Sequence, residues 1–139
     1  MKGRTRPSQP SGGGTREEET AEKTLARFQD RFQALEREVG YLREEIVEKP
    51  ESESEWRNVP SYRAYAVLTL CRILYSFRKG TIVSKPRAAT WAIKYLSKEW
   101  SDIILQALAT NDEGRTAGIA LLRIEQFIEF VEAELHPFK

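Results

Sequence analysis

The stretch Tyr65 to Ile93, YAVLTLCRILYSFRKGTIVSKPRAATWAI, constrains the chain more than any other, because it puts two cations where an apolar sequence should resist them. From Ala64 to Phe77, apolar residues (Val67, Leu68, Leu70, Cys71, Ile73, Leu74, Tyr75, Phe77) recur around nearly the whole helical circumference. That pattern predicts a helix buried on most sides rather than one with a broad wet face. One narrow stripe is excepted: Tyr65, Thr69, Arg72 and Ser76 follow at intervals of four, three and four, so they share one edge of the helix as a row of hydrogen-bonding groups around a guanidinium. An arginine buried there must meet an anion, either an internal acid such as Glu125 or Glu129 or a bound ligand.

Beyond this helix Arg78 and Lys79 suit a last turn, and Gly80 suits the reversal after it. Lys85 stands between Ser84, a favourable N-cap, and Pro86, a favourable first-turn residue, which predicts a second helix starting there. Its ammonium then lies beside free amide N–H groups that themselves favour negative charge. Arg72 and Lys85 together would suit a polyphosphate.

These residues carry a resemblance. LTLCRILYS, the turn Gly80-x-Ile82-x-x-Lys85 and the helix Ala88-Ala89-x-Trp91-Ala92 resemble the C-terminal helical domain of aminoglycoside adenylyltransferases of the streptomycin and spectinomycin type. The likeness continues through Trp100, Ile104 and Ala107 to Gln126, Phe127 and Val131, covering Trp56 to Leu135. It implies a domain that serves AMP transfer from ATP to an antibiotic hydroxyl. It assigns Arg72 and Lys85 to the ATP triphosphate, and it implies Mg with the ATP, both held chiefly by a separate N-terminal nucleotidyltransferase domain. Trp56, Tyr65 and Thr69 are then the candidate substrate-facing residues. In that family, acidic groups just before the Leu-Thr-Leu-x-Arg helix meet the antibiotic. Here Arg57, Asn58, Tyr62, Arg63 and Tyr65 stand in that segment, which departs from the pattern expected for streptomycin-like acceptors.

Much of the family's chemistry has no counterpart in these 139 residues. Adenylyl transfer needs carboxylates that hold a divalent metal on the phosphates and a base for the acceptor hydroxyl. The resembling enzymes carry these in a Gly-Ser loop and an Asp-x-Asp pair; Asp30, Asp102 and Asp112 are isolated. No catalytic residue is therefore assigned, and the chain as written is expected to be inactive without a nucleotidyltransferase domain supplied in trans. The alternative is a helical interaction module without enzymatic activity. His136, the one histidine, falls at the end of the last helix as a terminal cap, and Cys71 lies in an apolar run as a core residue. No Cys/His set has metal-ligand spacing.

The remainder predicts an all-α bundle of four to five helices. Met1 to Gly14, rich in Gly, Ser and Pro, is expected to be a disordered tail; its Gly12-Gly13-Gly14 run lacks the strand and the Lys-Ser/Thr ending of a phosphate loop. Thr15 and Glu18 form a capping-box signature for a long helix over residues 15–48. Its seam of Leu25, Phe28, Phe32, Leu35, Val39, Leu42 and Ile46 alternates spacings of three and four and must be covered. Either it folds back on the bundle or residues 21–46 pair with a second copy. Residues 49–55 read as an acidic, exposed linker, and residues 56–139 as the adenylyltransferase-like domain. Within that domain, Lys98 to Ala109 forms a helix burying Trp100, Ile103, Ile104, Ala107 and Leu108, and Asn111 to Gly114 breaks it. A last helix from Thr116 to Leu135 turns Ile119, Leu122, Phe127, Val131 and Leu135 inward. A net charge of +1 gives no field for nucleic acid or an anionic membrane, and no run has the length of a membrane span. A cytoplasmic location is the expectation.

Overall fold

A computed structural model describes residues 16–54, 59–113 and 119–136. The tail Met1–Gly14, the capping residue Thr15, and Trp56 lie outside the described residues. Every regular element among the described residues is helical: α1 Arg16–Arg43, α2 Pro60–Lys79, α3 Lys85–Tyr95, α4 Ser101–Glu113 and α5 Leu121–Leu135. The chain divides into two compact units, one ending at Ala34 and one beginning at Leu35. No described helix is long and apolar enough to cross a membrane.

The first unit takes the start of α1, where Glu17, Glu18 and Glu19 stand in the first turn and favour the positive end of the helix dipole. Leu25 and Phe28, the first seam residues, are 57% and 53% exposed.

In the second unit the seam behaves differently: Val39, Leu42 and Ile46 are buried. After Arg43 the helix widens by one residue per turn over Glu44–Glu48, closed by the Lys49 N–H donating to the Glu44 carbonyl at 2.8 Å. This turn packs on α5, and Arg43 Nε donates to Glu132 Oε2 of α5 at 2.8 Å. That hydrogen bond raises the Arg43 pKa above its ordinary value. The predicted linker is not simple coil. Glu51–Glu53 forms one 3₁₀ turn, and Ser54 is buried with its hydroxyl donating to the Glu45 carbonyl.

The hub is α2. Its ends follow the local chemistry: Pro60 occupies the first turn, and Gly80 closes the helix at φ 74°, with its N–H donating to the Ser76 carbonyl at 2.9 Å. Left-handed backbone of this kind strains any residue with a Cβ. Ala66, Val67, Leu70, Cys71 and Leu74 are fully enclosed, and α2 packs against α3, α4 and α5. Trp100, in the 3₁₀ turn Lys98–Trp100, lies with its ring centroid 5.0 Å from Phe127 and 5.3 Å from Phe130.

Two boundaries differ from expectation. The break predicted from Asn111 does not occur there: α4 continues through Asn111, Asp112 and Glu113, because helix propensity and the stripe before them outweigh three polar residues. The last helix begins at Leu121, not Thr116, and Leu122 is 63% exposed; Ile124 and Ile128 take the inward places beside Phe127, Val131 and Leu135. The apolar residues of α5 cover more than half its circumference, so spacing alone admitted the wrong phase.

Candidate functional site

The row along α2 is present, but its members have unequal surroundings. Tyr65 is exposed, Thr69 and Ser76 are buried, and Arg72 is half-buried rather than enclosed. Thr69 differs from other helical threonines of the chain. Thr20, Thr90 and Thr110 each donate a hydroxyl hydrogen bond to the carbonyl four residues back, at 2.9 to 3.0 Å. Thr69 Oγ1 is buried and has no hydrogen-bond partner among the described residues. An unmet buried hydroxyl costs about 1–3 kcal/mol.

Lys85 is delivered by the start of α3, as the capping pattern requires: Ser84 Oγ accepts from the Arg87 N–H at 3.4 Å and Pro86 follows in the first turn. The Lys85 ammonium then lies 4.1 Å from the ring centroid of Tyr65, a cation–π contact. The structure thus joins two of the candidates directly, Tyr65 on α2 and Lys85 on α3.

Arg72 meets Glu38 of α1, with Nη2 to Oε2 at 3.8 Å, instead of Glu125 or Glu129. This is a loose ion pair between two partly exposed groups, of the kind that contributes less than about 1 kcal/mol, and so leaves the guanidinium able to exchange partners. Sequence gave no warning of Glu38, which sits among many charges of α1 and is separated from Arg72 by the whole linker. A second long-range pair closes the same unit: His136 Nε2 lies 2.8 Å from Glu36 Oε2, with His136 in the C-cap position of α5. Cys71 is fully buried and its thiol is pushed up to about 12 by desolvation, which removes it as a nucleophile.

Chemically, this side of α2 offers an arginine held by one loose carboxylate, a lysine resting on an aromatic face, and an unsatisfied hydroxyl between Tyr65 and Arg72 in the same row. It is equipped to receive negative charge. The described residues contain no group of three or more His, Cys, Asp or Glu placed to hold a metal ion.

Comparison with known proteins agrees with the motif reading. The family described as "Aminoglycoside adenylyltransferase, C-terminal domain" matches residues 27–134. An aminoglycoside (3'') (9) adenylyltransferase of Rhizobium radiobacter is 37% identical over 86 residues, which cover 58% of this chain and 32% of that protein. The protein of the same name from Escherichia coli is 35% identical over 86 residues, with the same coverage, and that from Klebsiella pneumoniae is 34% identical over 85. The aligned part therefore spans about one third of the length of these curated relatives. No solved structure matches the chain. With the match running from the middle of α1 to the end of α5 and the Leu-Thr-Leu-x-Arg helix seated at its hub, the chain belongs to the family of aminoglycoside adenylyltransferase C-terminal domains.

Proposed function

We propose that this chain supplies the nucleotide- and substrate-facing helical part of an aminoglycoside nucleotidyltransferase, acting with a nucleotidyltransferase domain that provides the catalytic carboxylates. The reaction is transfer of AMP from ATP to a hydroxyl of an aminoglycoside, with antibiotic resistance as its consequence. One observation supports the reading above others: the family match contains Arg72 and Lys85, each in the local setting that phosphate contact requires, one loosely paired and one at a capped helix start.

In this reading Lys85 leaves the Tyr65 ring and Arg72 leaves Glu38 to contact the triphosphate, while Tyr65 and Thr69 face the acceptor side, with Trp56 beyond the described residues. In this reading magnesium is held by the nucleotidyltransferase domain together with the ATP phosphates. What this unit contributes is charge and position; it neutralises oxygens on which negative charge is concentrated.

The test is reconstitution. The full chain is mixed with the nucleotidyltransferase domain of a related enzyme, and AMP incorporation into spectinomycin or streptomycin is measured. Activity is expected only in the mixture, and Lys85→Ala or Arg72→Ala should lower it about 10- to 100-fold, the equivalent of one charge-assisted hydrogen bond. Unchanged activity in both variants would remove the phosphate role.

A second reading, a helical interaction module without enzymatic activity, is favoured by the exposure of Leu25 and Phe28 on the apolar seam. Self-association through the part of residues 21–46 that remains uncovered would bury them. Sedimentation equilibrium should then show a concentration-dependent dimer that Leu25→Glu with Phe28→Glu converts to monomer; a monomer at all concentrations excludes this reading.

A further inference from the structure

Charge is distributed along this chain in a way its net value hides. From Trp56 to Lys98 the sequence has Arg57, Arg63, Arg72, Arg78, Lys79, Lys85, Arg87, Lys94 and Lys98, and not one Asp or Glu. Several of these cations are satisfied from elsewhere in the fold. Arg63 donates to the Ile119 carbonyl at 3.0 Å, Arg72 meets Glu38, and Arg78 pairs with Glu134. Arg87 and Lys94 are not. Both are exposed on α3, and among the described residues neither pairs with a carboxylate.

They line an open groove of about 450 Å³ beside α3 whose other walls are Tyr75, Val83, Pro86, Thr90, Trp91 and Tyr95. Among the described residues no carboxylate lines it. The aromatic side chains form a continuous cluster, Tyr75 edge-on to Trp91 at 5.4 Å and Trp91 tilted against Tyr95 at 6.1 Å. The groove is distinct from the Arg72 and Lys85 row. On α3, Trp91 stands six residues after Lys85, about 120° away from it around the helix axis at 3.6 residues per turn.

We propose that this groove is a docking site for an acidic peptide segment with an apolar anchor, carried by a partner protein. The apolar anchor enters the groove among Tyr75, Val83, Pro86 and Trp91, and flanking carboxylates meet Arg87 and Lys94. These lie seven residues apart, two turns of helix, or about 10 Å along the axis. That spacing suits two acids bracketing a central apolar residue. Charge complementarity selects the partner: a groove with two cations and, among the described residues, no acid attracts negative segments and disfavours basic ones. Single-stranded nucleic acid fits less well, because base stacking needs free ring faces. Here the Arg78 guanidinium lies 5.7 Å from the centroid of Trp91 and the Lys94 ammonium 5.4 Å from that of Tyr95. The proposal stands independently of the adenylyltransferase reading, since it uses neither Arg72 nor Lys85.

The experiment titrates the full chain with the acetylated peptide Glu-Glu-Leu-Phe-Glu-Glu, following the Trp91 indole N–H by NMR, with Trp91→Phe identifying that signal. A saturable shift is expected, absent with the peptide in which Gln replaces every Glu. It should weaken at least about tenfold in Arg87→Glu with Lys94→Glu, and again when salt is raised from about 0.1 M to about 0.5 M. Lys94→Gln alone should give an intermediate loss while keeping the circular dichroism of the parent chain. Absence of a saturable shift, equal binding of the Gln peptide, or tighter binding of an oligothymidylate than of the acidic peptide would each overturn the proposal.

Discussion

Cys71 shows how completely a single side chain is governed by its surroundings. Desolvation in the middle of α2 raises its thiol pKa from an ordinary value of 9.0 to about 12. In the unfolded chain the thiol ionises near 9, whereas in the folded chain it keeps its proton, so between about pH 9 and pH 12 the folded state binds the additional proton. Stability is therefore full below about pH 9 and falls as pH rises through this window, at a limiting slope of about 1.4 kcal/mol per pH unit for this group. Urea melts at stepped alkaline pH should show that slope in the parent and a shallower one in Cys71→Ala. Labelling with a thiol reagent at neutral pH should need unfolding. The Cys71 assignment was legible because an unbroken apolar run leaves little room for a reactive thiol. Arg72 was legible only in part: its stripe followed from spacing, but its partner did not. Glu38 looks like the other acids of α1 until the fold brings it to α2. Lys85 lay at the other extreme, since Ser84 and Pro86 fix the helix start locally and the structure follows them.

At the scale of elements, α1 separates periodicity from burial. The seam continues from Leu25 to Ile46 without a miss, yet Val39, Leu42 and Ile46 are enclosed and Leu25 is exposed. Sequence periodicity reports which face of a helix can be covered; coverage depends on what the rest of the chain brings there. Leu42→Ala should cost about 2–4 kcal/mol through lost contacts and the cavity left behind, whereas Leu25→Ala should stay within about 0.5 kcal/mol. Equal losses in denaturant titrations would show that Leu25 is covered in solution. The ends of α2 and the start of α3 were readable because capping is local, with Pro60, Gly80 and Ser84 acting within a few residues of themselves. The phase of α5 was not, since Leu122 and Ile124 are equally apolar and only packing against Trp100 and α2 chooses between them.

At the scale of the whole molecule, the second unit carries its Leu-Thr-Leu-x-Arg motif on the helix that packs against three others, with loosely held cations and no metal-binding cluster among the described residues. Such an arrangement gives little affinity alone, because two screened charges at a surface contribute little. Titration calorimetry of the isolated chain with Mg-ATP should give a Kd weaker than about 100 μM, and a submicromolar value would mean that this unit needs no further domain to hold nucleotide. The fold class and the family were legible from a few dozen residues, although the aligned part spans only about one third of the relatives' length.

The ion pairs Glu38 to Arg72 and Glu132 to Arg43, together with the burial of Val39, Leu42 and Ile46, have a practical corollary. A fragment cut at Pro60 to isolate the motif-bearing helices would discard an apolar strip the bundle sits against and strand Arg72 without its acid. A piece that keeps these contacts begins before Glu38, within the second compact unit.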